Sequence, residues 1–254
     1  MKIMLRAVAL IALTAVPALA ADKQVPSSLY EGYDTFSGST KSALMQGESI
    51  SGGSVTVSRI RLCKSTSEVR QAMDIEASVE GSYGIASGSA KVHYASSLEI
   101  SETSIVLVVY VSQQKTDKAT KFSLSKIPTR AELADTLRTY GDSWVKEITI
   151  GSEYYATYIF TSKTQEEKTT LEASLKGTVG SVTAEAKTAI ENAKKQANVT
   201  WTFDQRMTGV TSQPLAKPDE ATGEFNTGAI ITYAMDFPKL VADAPTMIKV
   251  RTEG

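Results

Sequence analysis

His93 and Cys63 are the only imidazole and the only thiol in a chain of 254 residues. Nucleophilic catalysis of the Ser-His-Asp or Cys-His kind would have to run entirely through them, and a zinc site needs three or four ligands of these types. His93 stands among small polar residues in an alternating run, which suits a surface or lumen position better than a general base. Cys63 lies in RIRLCKS, whose apolar alternation predicts a buried core thiol, and one thiol closes no loop within the chain. The acidic pairs Glu166-Glu167 and Asp219-Glu220 read as solvated surface, and GSYGIASG lacks the Lys and the strand-to-helix setting of a phosphate loop. The expectation is a protein that is not an enzyme and uses no cofactor and no metal.

Apolar residues make up 42% and charged residues 22%, enough to fill a core, while a net charge of −1 lacks the basic excess that nucleic acid demands. The first twenty residues, MKIMLRAVALIALTAVPALA, place Lys2 and Arg6 before an apolar run from Ala7 to Val16 and a small-x-small site at Ala18-Leu19-Ala20. This predicts a signal peptide over 1–20 and secretion of 21–254 as a single domain. Asn198-Val199-Thr200 is a glycosylation sequon, meaningful in a eukaryotic secretory host.

With no reactive site in view, the elements themselves become the candidates. From Val69 to Ile85 the chain alternates with period two: Val69, Met73, Ile75, Val79, Tyr83 and Ile85 fall on one face, and Glu68, Arg70, Asp74, Glu76 and Glu80 on the other. After the small-residue patch Gly84 to Gly88 the parity flips, and Val92, Tyr94, Leu98 and Ile100 share a face opposite Lys91 and His93. That is a hairpin signal. Yet Val69, Ala72, Met73 and Glu76 also keep helical spacing, with no Gly or Pro from Ser67 to Glu80. Between Lys163 and Asn198 the ambiguity repeats: Leu171, Leu175, Val179, Val182, Ala186 and Ile190 make a helical stripe, and also two alternating runs around Gly180-Ser181. At roughly 3.3 Å per residue, the run from Val69 to Ile85 could extend about 55 Å, more than a bilayer requires.

Strands are expected to hold these segments. Ile105 to Ser112 is a near-continuous apolar run, followed by a charged loop, QQKTDKATK. Thr129 to Glu132 reads as a capping box opening a helix whose apolar face is Leu133, Leu137 and Tyr140, ended by Gly141. A long strand, WVKEITIGSEYYATYIFTS, is interrupted at Gly151 by a bulge, bend or close approach. Further strands are read at Val55 to Leu62, at Val199 to Asp204, and at Ala229 to Met235.

This order resembles the membrane attack complex/perforin and cholesterol-dependent cytolysin superfamily. The family signature is aromatic-Gly-Thr/Ser-His-aromatic at a helix end, with a Gly pair some six residues on in a bent strand. Tyr140-Gly141-Asp142-Ser143-Trp144 occupies the motif and Gly151-Ser152 the pair, with Asp142, Ser143 and Ser152 departing from it. Gly32-Tyr33-Asp34 and GSYGIASGSAKVHY are similar to other family segments. The resemblance implies an α+β fold: a bent, twisted antiparallel sheet of about four long strands flanked by two helical clusters that convert to transmembrane β-hairpins. It implies a secreted pore-forming protein inserting hairpins at about 66–104 and 163–198, with Gly151 at the hinge. Lipid would receive Val69, Met73, Ile75, Val79, Tyr83, Ile85, Val92, Tyr94, Leu98 and Ile100 from the first, and Leu171, Leu175, Val179, Val182 and Ile190 from the second. The partners implied are a lipid membrane and further copies in a homo-oligomeric ring or arc, with no nucleic acid. About forty residues follow Thr211, which leaves an expectation of no separate C-terminal targeting domain, hence direct lipid binding or recruitment by a separate partner protein. The alternative is a non-lytic protein of the same fold, used for adhesion or lipid recognition.

Overall fold

The computed structural model describes residues 26–75, 87–209, 217–218, 225–241 and 246–254, with residues 87–90 described by backbone alone. The expected signal peptide, and Val79, Tyr83 and Ile85 of the first segment, lie outside the described residues. In chain order come β1 (Gly32–Asp34), β2 (Ser39–Lys41), β3 (Met45–Ser51), β4 (Val55–Cys63), α1 (Thr66–Ala72), α2 (Ser87–Ser97) and β5 (Ser104–Leu124). Then follow α3 (Leu133–Tyr140), β6 (Ser143–Ser162), α4 (Gln165–Leu175), α5 (Ala184–Lys194), β7 (Val199–Thr208), α6 (Thr227–Leu240) and β8 (Thr246–Glu253).

Among the described residues the strands pair antiparallel throughout, and the fold is α+β. The long strands β5 and β6 run side by side from Ser104↔Thr161 to Lys118↔Glu147. Along the outer edge of β5 lie β4 and β3, end to end; along the outer edge of β6 lie β7 and β8. The body of the sheet is therefore four strands wide, with its outer strands each broken in two, and β1 and β2 extend it at the Trp144 end of β6.

Alternation in β5 gives its two faces separate cores. Val106, Val108 and Tyr110 meet Val69, Ala72, Met73, Tyr94 and Ala95 of the α1–α2 segment, together with Cys63 and Tyr155. On the other face Ile105, Leu107, Val109 and Val111 join Tyr154, Tyr158 and Phe160, covered by Leu171, Leu175, Ala186 and Ile190 of α4–α5 and by Ile230, Ala234 and Phe237 of α6. The described parts of both ambiguous segments carry helices, α1 and α2 over one face and α4 and α5 over the other.

Three local expectations are corrected. Gln113 to Lys121 is not a loop: β5 continues to Leu124, paired with β6 as far as Lys118 and with β3 from Asp117 to Leu124. Its charges stand on the sheet surface, as in the 3.2 Å pair of Lys118 with Glu147. Ala229 to Met235 is helix rather than strand. Asn226 caps α6 by accepting from the Ala229 N–H, and Ile230, Ile231, Ala234 and Phe237 are buried at helical spacing. The helix expected from Thr129 begins at Leu133 instead. The Glu132 carboxylate accepts from both the N–H and the hydroxyl of Thr129, at 3.0 and 2.9 Å, so the Thr129 hydroxyl closes a turn rather than capping a helix. Leu133 and Leu137 are about half exposed, at 49% and 47%, and do not form the expected packed face.

Candidate functional site

The two helical segments enter and leave the sheet at one level. Cys63 of β4 pairs with Val106 of β5, Val106 with Ile159 of β6, and Ile159 with Thr202 of β7. Residues 64–103 connect β4 to its neighbour β5, and residues 163–198 connect β6 to its neighbour β7. Each segment thus joins an antiparallel pair already formed, at the same end of the sheet. Straightening either one would lengthen that pair without rethreading the chain.

In the first segment, Ser65 caps α1 by accepting from the Glu68 N–H. Val69 and Met73 are fully buried, Tyr94 is buried, and Ile75, Leu98 and Ile100 pack at the margin of the same core. Val92 is half-buried. The Tyr94 ring lies 5.1 Å from that of Tyr155. The decisive anchor is polar. Lys91, 5% exposed, reaches Glu153 of β6, 2% exposed, at 2.6 Å, and the Tyr110 hydroxyl donates to the same carboxylate oxygen at 2.6 Å. The other Glu153 oxygen makes no hydrogen bond among the described residues. Burial pushes the Tyr110 hydroxyl strongly up, and the Glu153 charge adds to it, so it stays a donor.

Alternation alone assigns Lys91 to the polar face opposite Val92 and Tyr94 and carries no sign of this anchor. The available signal was Glu153 itself, a lone carboxylate in the strand run SEYYATYIF. His93 is exposed, and burial pushes the Cys63 thiol up to about 12, which keeps it un-ionised at neutral pH.

The second segment is held by apolar contact. Thr164 and Glu167 form a complete capping box for α4. Leu171, Leu175 and Ile190 are fully buried and Val182 nearly so. Val179 departs from the expected face: it follows the short 3-10 turn Lys176–Thr178 and is 49% exposed. Lys194 lies 4.3 Å above the Trp201 ring, which ties α5 to β7.

The motif residues meet at the opposite end of the sheet. Gly141 ends α3 at φ +83, with its N–H donating to the Leu137 carbonyl. A Cβ on Gly141 would stand 2.2 Å from the Tyr33 carbonyl oxygen, and one on Gly32 would stand 2.1 Å from that of Tyr140. The two sequence motifs therefore pack backbone to backbone, which only glycine permits. The departures from the signature are absorbed here: the Asp142 carboxylate accepts from the Thr35 N–H at 2.9 Å, and the Ser143 hydroxyl donates to the Tyr33 carbonyl at 3.2 Å. Trp144 stacks on Tyr30 and meets Phe122. At Gly151 a Cβ would fall 2.2 Å from the Gln113 carbonyl oxygen, and the β6–β8 register shifts between Thr149 and Ile150. Of the alternatives read for Gly151, close approach is the one seen, beside a bulge.

No known family profile matches the chain, and no curated protein matches it. Solved structures do. The crystal structure of a non-hemolytic pneumolysin from Streptococcus pneumoniae is similar at 14% identity and a TM-score of 0.35, covering 81% of this chain and 40% of that one. For stonustoxin the identity is 16%, the TM-score 0.36 and the coverage 90% and 30%. Astrotactin-2, a vertebrate perforin-like membrane protein, matches at 12% identity and a TM-score of 0.37, over 88% of each chain. The chain spans less than half the length of the pneumolysin and stonustoxin chains.

Proposed function

We propose that this protein is a secreted pore former that oligomerises on a target membrane and inserts residues of about 66–104 and 163–198 as two β-hairpins per subunit. The observation that carries the reading is the level exit of both segments from adjacent antiparallel strands. Each arm of about twenty residues, at ~3.3 Å per residue, exceeds the ~30 Å of a hydrocarbon core. Period-two alternation then supplies the faces. Lipid would receive Val69, Met73, Ile75, Tyr94, Leu171 and Leu175, which the sheet now covers, while Lys91 would exchange its buried carboxylate for a wet lumen.

Strands in a bilayer require a closed barrel, since an open edge leaves backbone groups unpaired in lipid. Copies of the chain can supply closure. Among the described residues β7 pairs only with β6, and it runs antiparallel to β4, so β7 of one copy beside β4 of the next continues the same alternation. Such a head-to-tail contact generates a ring or an arc. Attachment would come from direct lipid contact or from a partner protein. Liposomes of varied composition, loaded with dye and imaged, test the reading: rings or arcs with leakage are expected. Binding without leakage on every composition would instead support the non-lytic alternative of adhesion or lipid recognition.

A further inference from the structure

The strand pairs beside the two exits keep a fixed count. Between β6 and β7 each step along one strand is matched by one step back along the other, from Glu153↔Thr208 to Ser162↔Val199, without a bulge. Continued through residues 163–198, that count sets Glu166 opposite Lys195, Leu171 opposite Ile190, Lys176 opposite Glu185 and Val179 opposite Val182. Gly180 and Ser181 are left over as a two-residue turn. Between β4 and β5 the pairing is equally regular from Val55↔Gln114 to Cys63↔Val106, and its continuation sets Val69 opposite Ile100, Arg70 opposite Glu99 and Ile75 opposite Tyr94. By sequence it closes on Gly84-Ile85, outside the described residues. Both closures fall at one depth. Val179 and Val182 stand twenty residues beyond the row of Cys63, Val106, Ile159 and Thr202, and by sequence so do Tyr83 and Ala86.

We propose that the soluble sheet already holds the register of the second hairpin: β6 and β7 lengthen without slipping, turn at Gly180-Ser181, and are fixed there by two ion pairs of the strand state, Glu166 with Lys195 and Lys176 with Glu185. The inference rests on the insertion reading above and names the residues that direct it. A tight hairpin needs positive φ at its first turn residue, which glycine supplies at no steric cost. A slip of one residue would turn the apolar side of one arm toward the lumen. A slip of two keeps the faces but puts Val179 or Ser181 at that turn position. Only the unslipped count puts Gly180 there, and Gly180 already stands at φ +138 in the docked state, where a Cβ would meet nothing within 4 Å. The charges agree. Glu166, Lys176, Glu185 and Lys195 are all exposed on the docked segment, so their side chains take no part in its core. In the strands both pairs fall on the face opposite Leu171 and Ile190, toward water, where opposite charges favour this register and like charges resist it.

Cysteine pairs in a Cys63→Ala background read the register directly. Ala173, Ser174, Lys187 and Thr188 are exposed on the docked helices, so substituting them leaves the core intact. The count sets Ala173 opposite Thr188 and Ser174 opposite Lys187, and one of two neighbouring rows is always the closely spaced kind that a disulfide fits. The probes are phosphatidylcholine vesicles with and without cholesterol or phosphatidylserine. On those that leak, oxidation should join Ala173→Cys with Thr188→Cys, or Ser174→Cys with Lys187→Cys, about tenfold faster than pairs shifted by two residues, as read by peptide mass spectrometry. The shifted pairs are Ala173→Cys with Ala186→Cys and Ser174→Cys with Glu185→Cys. Lys195→Glu should slow leakage about fivefold by facing Glu166 with a like charge, and adding Glu166→Lys should restore it. Leakage with a shifted pair favoured, or with neither matched pair joined, overturns the register and leaves the pore reading standing. A double reversal that recovers nothing overturns the assignment of Glu166 and Lys195. Wild type that neither assembles nor leaks on any of these vesicles overturns both readings.

Discussion

The two helical segments occupy equivalent places in the sheet yet are held by different physics. The α1–α2 segment rests on a small core and a buried ion pair, Lys91 with Glu153, whose second oxygen lacks a partner. The α4–α5 segment rests on a larger apolar core, walled on one side by α6. Apolar docking weakens gradually as contact is lost. A buried ion pair is strongly destabilised when one member is removed, because the other is left charged and dry. The first segment therefore behaves as a latch and the second as a packed layer. In a barrel the latch residue has somewhere to go, since alternation places Lys91 opposite Val92 and Tyr94, on the wet side.

The comparison breaks most readily at Lys91. Lys91→Met should cost about 3–5 kcal/mol in urea unfolding, with the loss concentrated in hydrogen exchange of α2. Adding Glu153→Leu should recover most of it, because an apolar pair leaves no stranded charge. If the double variant is as unstable as the single, the latch description fails. A somewhat smaller loss, about 3 kcal/mol within a range of roughly 2–5, is expected for Leu171→Ala from the cavity it leaves, and no charge substitution on β6 should rescue it. Exposure of α2 rather than α4 in that variant would contradict separate docking.

Alkali reaches both faces, because burial pushes up the Tyr154 and Tyr158 hydroxyls in the α4–α5 core as it does those of Tyr94 and Tyr110 in the α1–α2 core. Burial pushes both Cys63 and Tyr155 up to about 12, and both line the α1–α2 core. The folded chain thus holds protons that the unfolded chain sheds from about pH 9 upward. Their contribution is complete below that pH and is lost as pH rises through about 12. Unfolding midpoints should be flat from pH 7 to 9 and fall beyond. A flat profile to pH 12 would mean these groups ionise freely in the folded state.

Much of this was visible in the residues. The run IVLVVYVS could only be a strand buried on both faces, and both dual-pattern segments were found where helices now lie. Helix against strand stayed undecided because period-two and 3.6-residue spacing coexist in Val69 to Glu76, and it is the sheet's faces that select the helix in this state. The tail of β5 was hidden for another reason: Gln113 to Lys121 has no continuous apolar face, and pairing with β6 and then with β3 makes it a strand. The α6 sequence, with Ile230, Ile231 and Tyr233, has strand formers at helical spacing, so propensity misled where burial period did not. The Lys91 latch joins residues 62 apart, and the bridge between Ile60 of β4 and Gly180 in the α4–α5 turn joins backbone groups alone. Neither leaves a local pattern.

The central claim is that helical residues become membrane strands. Single cysteines placed in turn from Leu171 to Ile190, in a Cys63→Ala background, can carry an environment-sensitive dye read before and after addition of liposomes. The account predicts that membrane contact replaces the helical burial period with strict alternation: apolar environments at Leu171, Ala173, Leu175 and again at Val182, Ala184, Ala186, and water at the residues between. A helical period that persists on leaky liposomes would contradict it.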